Sequence, residues 1–224
     1  MTPPFTTADF LAVFAAYNAA IWPFHLFAYA LGLMVLAAIA RPTPAAVRLA
    51  FAALAILWAF TGIGYHLMFF TRINPIAPVF AAFFVVQAIL LLASAICPTD
   101  LRLHLGRDFR TATGLATIAY AVVIYPALGI WAGHGLMTGP MFGVAPCPTT
   151  IFTLGVLMIA RGIWVIWLSV IPILWSLIGL AAAVQLGIPE DLAMPVAGIF
   201  LAGILGAQAW DRRTSRPKAA RGRP

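Results

Sequence analysis

The stretch GVAPCPTTIF, residues 143–152, sets one cysteine between two prolines and follows it with two threonines. Cys147 offers a thiol, which can serve as a nucleophile or a soft metal ligand. Thr149 and Thr150 add hydroxyls. Pro146 and Pro148 have no backbone N–H to donate, an unusual choice in a chain that is 63% hydrophobic. A second set of polar residues, His25, Tyr65, His66, Tyr125 and His134, is scattered through otherwise apolar sequence. Ionisable groups in such surroundings are costly and mark functional sites or buried networks. The run GHGLMTGPMFGVAPC also spaces His134, Met137, Met141 and Cys147 as soft ligands for a thiophilic metal ion. Methionine is equally a common apolar filler. There is no P-loop, HExxH or GxSxG pattern, and the sequence names no cofactor.

The solvent for these residues is lipid. Only 8% of residues are charged and the mean hydropathy is +1.02, where soluble domains carry about 25% charged residues. The net charge of +7 does not imply a nucleic-acid partner, because six of the thirteen basic residues crowd the last thirteen positions. Residues 1–210 read as a single integral membrane domain, and 211–224 as a basic, disordered cytoplasmic tail. The first ten residues carry no positive charge, so a cleaved signal peptide is not expected. Two cysteines, Cys97 and Cys147, make no disulfide framework and are expected as free thiols.

The elements that must position the polar residues are helices. The pattern predicts an all-α, polytopic transmembrane bundle of about seven spans: 23–40, 45–69, 75–97, 112–133, 147–160, 163–187 and 190–210. Residues 7–20 are expected as a helix lying on or dipping into the outer face, with an eighth full span as the alternative. Twelve basic residues, including Arg41, Arg48, Arg102, Arg107, Arg110 and Arg161, fall on one side of these spans and only Arg72 on the other. Basic loops stay in the cytoplasm, which predicts an outside N-terminus and an inside C-terminus. Prolines at 23, 75, 148 and 189 open the four spans that run inward, as proline suits a first helical position. Arg161 and Gly162 are expected to close a tight turn at the inner surface.

The span from Pro148 is too short. Thirteen residues reach about 20 Å at 1.5 Å each, against a hydrocarbon core of about 30 Å. A half-helix starting at Pro148 is therefore expected, capped by Cys147 and preceded by irregular backbone at membrane depth. Such backbone is tolerated only when protein buries it or a wet cavity adjoins it. His25 and Tyr125 fall near the height of Cys147, with Tyr65 and His66 slightly higher. Gln87 sits alone near mid-membrane. Glu190 and Asp191 are expected at the outer mouth, leaving no carboxylate inside a span.

The segments VFAAYNAAIWP (13–23), GYHLMFFTRINP (64–75), YPALGIWAGH (125–134), FGVAPCPTTIFTLG (142–155), IPILWSLIG (171–179) and LGIPED (186–191) together resemble an uncharacterised bacterial membrane family, domain of unknown function 6064. The similarity covers about residues 5–205, with PCPTT as its most specific block. Met137 and Met141 lie outside that pattern. The resemblance implies that PCPTT and the outer polar residues belong together, and it implies no activity, substrate or catalytic residue. Three functions compete. A permease for a small solute or ion in the bacterial cytoplasmic membrane fits the half-helix and the one-sided polar cluster. An accessory subunit of a membrane complex, in a homo- or hetero-oligomer, fits the short loops and the apolar inner half. An intramembrane enzyme would use Cys147 or a histidine.

Overall fold

The computed structural model describes residues 4–135 and 137–214, so the basic positions Arg216, Lys218, Arg221 and Arg223 lie outside the described residues. Nine α-helices account for most of these residues. Helix α1, Thr7–Ile21, opens with a capping box in which Thr6 and Asp9 satisfy each other's backbone N–H groups. It meets α2, Phe24–Ala40, at an angle of 87° across Trp22 and Pro23. Proline cannot continue the ladder of α1, which places the elbow there. Helix α3, Pro44–Phe60, carries Thr43 as a side-chain cap. It then winds on as a π-helix over Thr61–Leu67. Asn74 accepts from the Ile76 N–H at 3.0 Å, and α4, Ala77–Ile96, follows. This helix starts two residues later than its proline suggests, because Asn74 spends its cap on a turn.

Helix α5, Phe109–Ala119, is capped by Asp108 and passes through a second π-wound stretch, Tyr120–Ile124, into α6, Tyr125–Trp131. Helix α7 is Pro146–Ile159. Helices α8, Trp164–Leu186, and α9, Ala193–Thr214, are joined by a left-handed Gly187 and a 3₁₀ turn at Pro189–Leu192. Five helical stretches are long and apolar enough to cross a membrane: Pro44–Arg72, Ala77–Ile96, Phe109–Trp131, Trp164–Leu186 and Pro189–Arg212. The α1–α2 pair makes a sixth only as a bent unit. The expected count of seven differs because α2 has seventeen residues and α7 fourteen. Large apolar side chains such as Leu33, Ile89, Val123, Val184 and Ile199 face outward, as a lipid solvent permits. The chain is a helical membrane protein.

Helix α7 is the axis of the bundle. Every residue from Pro146 to Ile159 is buried, and α3, α5, α8 and α9 pack around it. Helix α5 approaches closest: a Cβ on Gly114 would lie 2.8 Å from the Gly155 carbonyl, and one on Gly155 would lie 2.8 Å from that of Gly114. This is the small-residue contact that lets membrane helices touch backbone to backbone. The C-terminus of α7 leaves carbonyls without helical partners, and two arginines take them. Arg110 donates to the Met158 and Ala160 carbonyls at 3.0 and 2.8 Å, and Arg161 to that of Ile159 at 2.9 Å. Guanidinium charge also suits the negative pole of a helix. Arg161 further pairs with Asp108 at 2.9 Å. The backbone N–H of Thr111, and then Arg161, hold the Asp108 carboxyl below its ordinary value. Arg161 lies in a two-residue strand, β2, Ala160–Arg161, antiparallel to β1, Arg102–Leu103. Gly162, at φ +125°, turns the chain immediately after it, as the sequence leads one to expect.

Candidate functional site

The opposite end of α7 is the chemically unusual one. Its cap is Ala145 and its first residue Pro146, so the helix begins two positions before Pro148 and Cys147 lies inside its first turn. The prolines explain how such a start can be buried. An ordinary helix exposes N–H groups in its first turn that find no helical carbonyl. Here the Thr149 N–H already reaches the Ala145 carbonyl at 3.3 Å. Pro146 and Pro148 have no N–H at all, leaving only that of Cys147 in the turn. The PCP sequence thus removes two donors that an apolar interior could not satisfy. One turn further on, Thr153 donates to the Thr149 carbonyl and accepts from the Trp58 indole N–H, both at 2.8 Å. The Thr149 and Thr150 hydroxyls are buried without a partner among the described residues.

Two carboxylates converge on this helix start. Glu190 and Asp191, in the 3₁₀ turn before α9, are 0% and 1% exposed. They are interior groups and not the solvated mouth expected from sequence. The Tyr125 hydroxyl donates to Asp191 Oδ1 at 2.5 Å, and the Cys147 thiol faces the same carboxylate. His134 Nδ1 meets Glu190 Oε1 at 2.7 Å, while Tyr120 donates to the Glu190 backbone carbonyl at 2.8 Å. Gly129 is the residue that lets this pair close. A Cβ there would stand 3.2 Å from Glu190 Oε1. The sequence signal for this site was the dipeptide Glu190–Asp191 itself, two adjacent acids with no basic residue nearby and a helix start to accept them.

Beside Cys147 and Asp191 lies a cavity of about 380 Å³. Tyr65, His66 and Trp175 line it, together with Phe70, Phe80 and the N-terminal Phe5 and Phe10. Tyr65 and His66 come from the π-wound end of α3, where the wider turn buries both adjacent residues. Rings hold them in place: Phe14 stacks on Tyr65 with centroids 4.5 Å apart, and Trp175 meets the His66 ring edge-on at 5.2 Å. The Tyr65 hydroxyl, both His66 nitrogens and the Trp175 indole nitrogen are buried without a hydrogen-bond partner among the described residues. Buried polar atoms are normally paired, so the side chains walling this void leave an unusual share of their hydrogen-bonding capacity unused.

The remaining expected residues serve elsewhere. His25 Nε2 contacts Asn18 Oδ1 at 3.3 Å, and Asn18 donates to the carbonyls of Met137 and Gly139, both at 2.9 Å. Tyr17 donates to the Val144 carbonyl at 3.0 Å. The α1–α2 elbow thereby pins residues 137–144, and His25 is absent from the cavity wall. Of the four soft-ligand candidates, Cys147 lines the cavity, His134 sits on Glu190, Met141 is buried and Met137 is 42% exposed. Among the described residues no group of three His, Cys, Asp or Glu side chains is placed to hold a metal ion. Gln87 donates to the Leu168 carbonyl at 2.9 Å, a helix-to-helix tie between α4 and α8.

No curated protein matches the chain, and no solved structure does. A family model described as a family of unknown function, DUF6064, matches residues 7–216. That match takes in the helix start at Pro146, the acid pair and the cavity walls from Phe10 onward, and the chain belongs to the DUF6064 family.

Proposed function

We propose that the chain is the solute-recognition unit of a permease-like membrane protein. It takes a small, largely apolar molecule with one polar group into the cavity beside Cys147. The observation that carries this reading is the void of about 380 Å³, walled mostly by apolar and aromatic side chains and bordered by the polar residues Tyr65, His66, Cys147 and Asp191. Pockets of this size, mostly apolar with a few convergent polar groups, are ligand sites by default. A short helix preceded by non-helical backbone is the construction transporters use at a substrate site. The basic bias supports a cytoplasmic location for the arginine-capped end of α7, in a bacterial inner membrane, with the cavity toward the outside. A phosphatase fused within 137–145 should then be active outside the cell, and one fused after Trp210 inactive.

The test of recognition is the molecule that accompanies the purified protein. Ala181 lines the cavity and is exposed, so Ala181→Trp fills the void with little strain. Wild-type protein should carry a small molecule, detectable by mass spectrometry after denaturation, that the Ala181→Trp protein lacks. Equal content in both would end the reading. A second reading is favoured by α7 itself. Below Thr153 the helix continues as LGVLMI, wholly buried, to its arginine caps. A site with such a floor suits a subunit that holds its ligand for a partner, and flux into proteoliposomes separates the two. Thiol catalysis fits least well, because the Cys147 thiol faces a carboxylate where activation calls for a cationic or basic neighbour.

A further inference from the structure

We infer that the cavity's ligand is a small organic cation, held by Asp191 and a surround of aromatic rings. This inference rests on the recognition reading above and names the ligand class for the same site. Its first ground is charge. Asp191 lines the void and is 1% exposed. Its hydrogen-bond donors there, the Tyr125 hydroxyl and the Cys147 thiol, are neutral, and the nearby His134 is already engaged by Glu190. The ion pairs among the described residues are His134–Glu190 and Arg161–Asp108, and neither includes Asp191. A buried carboxylate without a cation is costly, and a bound positive charge relieves that cost.

The second ground is the wall. Phe5, Phe10, Tyr65, Phe70, Phe80 and Trp175 all border the void. Aromatic faces attract cations, and rings grouped around a pocket are how proteins recognise ammonium and quaternary ammonium groups. A weakly hydrated organic cation enters such a site at lower desolvation cost than a metal ion, which matches the lack of a metal-ligand cluster among the described residues.

The test compares three probes of nearly equal shape on wild-type protein in lipid nanodiscs, with protein-free nanodiscs as the blank. The probes are benzyltrimethylammonium, its neutral carbon isostere neopentylbenzene, and the anion phenylmethanesulfonate. Tryptophan fluorescence reports binding, since Trp175 borders the void. The cation should bind at least about tenfold more tightly than the neutral isostere, and the anion should not bind. In Asp191→Asn that preference should collapse to within about twofold, and Ala181→Trp should lose the cation and the neutral probe together. The wild-type comparison decides the matter even if Asp191→Asn does not fold. Neutral binding as tight as the cation's, or tighter, overturns the cation inference and leaves the recognition site standing. If wild type and Ala181→Trp bind none of the three, both the inference and the site fall.

Discussion

Replacing Pro148 with valine tests the claim that PCP exists to delete backbone donors from a buried helix start. Valine keeps the apolar side chain at close to the same volume but restores an N–H. At that position no helical carbonyl is available, since the first ladder bond is the one from Thr149 to Ala145. The surroundings offer no water either, since Pro148 is buried and, unlike Pro146 and Cys147, does not border the cavity. Leaving a buried donor unsatisfied costs about 1–3 kcal/mol. Releasing the unfolded chain from proline's restriction costs about 0.4–1 kcal/mol more. Pro148→Val should therefore lower stability by about 1.5–4 kcal/mol. Pro44→Val is the control. It alters the first residue of α3, where the residue is exposed, and should cost only the chain term of about 0.4–1 kcal/mol. Unfolding in mixed micelles of increasing dodecyl sulfate content, followed by tryptophan fluorescence, gives both values. If the two substitutions cost the same within about 0.5 kcal/mol, the restored N–H has found a partner. The donor-deletion explanation would then be wrong.

Gly155→Ala should lower stability by about 1–3 kcal/mol in the same assay, because its Cβ meets backbone of α5 that cannot yield. Gly203→Ala, with open space around it, should be neutral or slightly stabilising, as alanine is the better helix former. In detergent, a neutral maleimide should modify the exposed Cys97 well before the buried Cys147, and an occupant of the cavity should slow Cys147 further. Equal rates would contradict the burial. Asp108→Asn should lower the thermal midpoint at about pH 7. Because the folded carboxyl titrates below its unfolded value of about 3.9, its contribution is present above that value and is lost as pH falls through the lower folded one. The gap from wild type should close on acidification below about pH 4, and a gap independent of pH would refute the assignment.

Hydropathy made the helices readable, and proline made their elbows readable. The bend at Pro23 and the turn at Arg161–Gly162 follow from local chemistry, and both stand in the structure. The family resemblance was readable too, since PCPTT and its companion segments are short continuous blocks, and the family model matches residues 7–216. The burial of Glu190 and Asp191 was not, because acids beside a helix start look like a solvated mouth. Their partners Tyr125 and His134 lie 66 and 56 residues away, and no local window joins them. His25 and His66 look alike in sequence, one isolated histidine each. Only packing decides that the first braces Asn18 and the second borders a void. The two-residue error at Pro148 has a similar cause. Either proline can open a helix, and the choice was made by where the ladder from Thr149 ends.

The π-wound stretch at Thr61–Leu67 stores the aim of the cavity in a count of residues. In a regular helix each residue advances the face by about 100°, so one residue more or less swings everything beyond it. The wide turn takes up such an offset locally. Before it, Pro44–Phe60 can keep its phase against α2 and α4, while within it Tyr65 and His66 point where the void requires. The two halves of the helix are thereby free to change independently in composition. Neither is free to change in length. Insertions and deletions within 61–67 would redirect the site while leaving every side chain chemically intact.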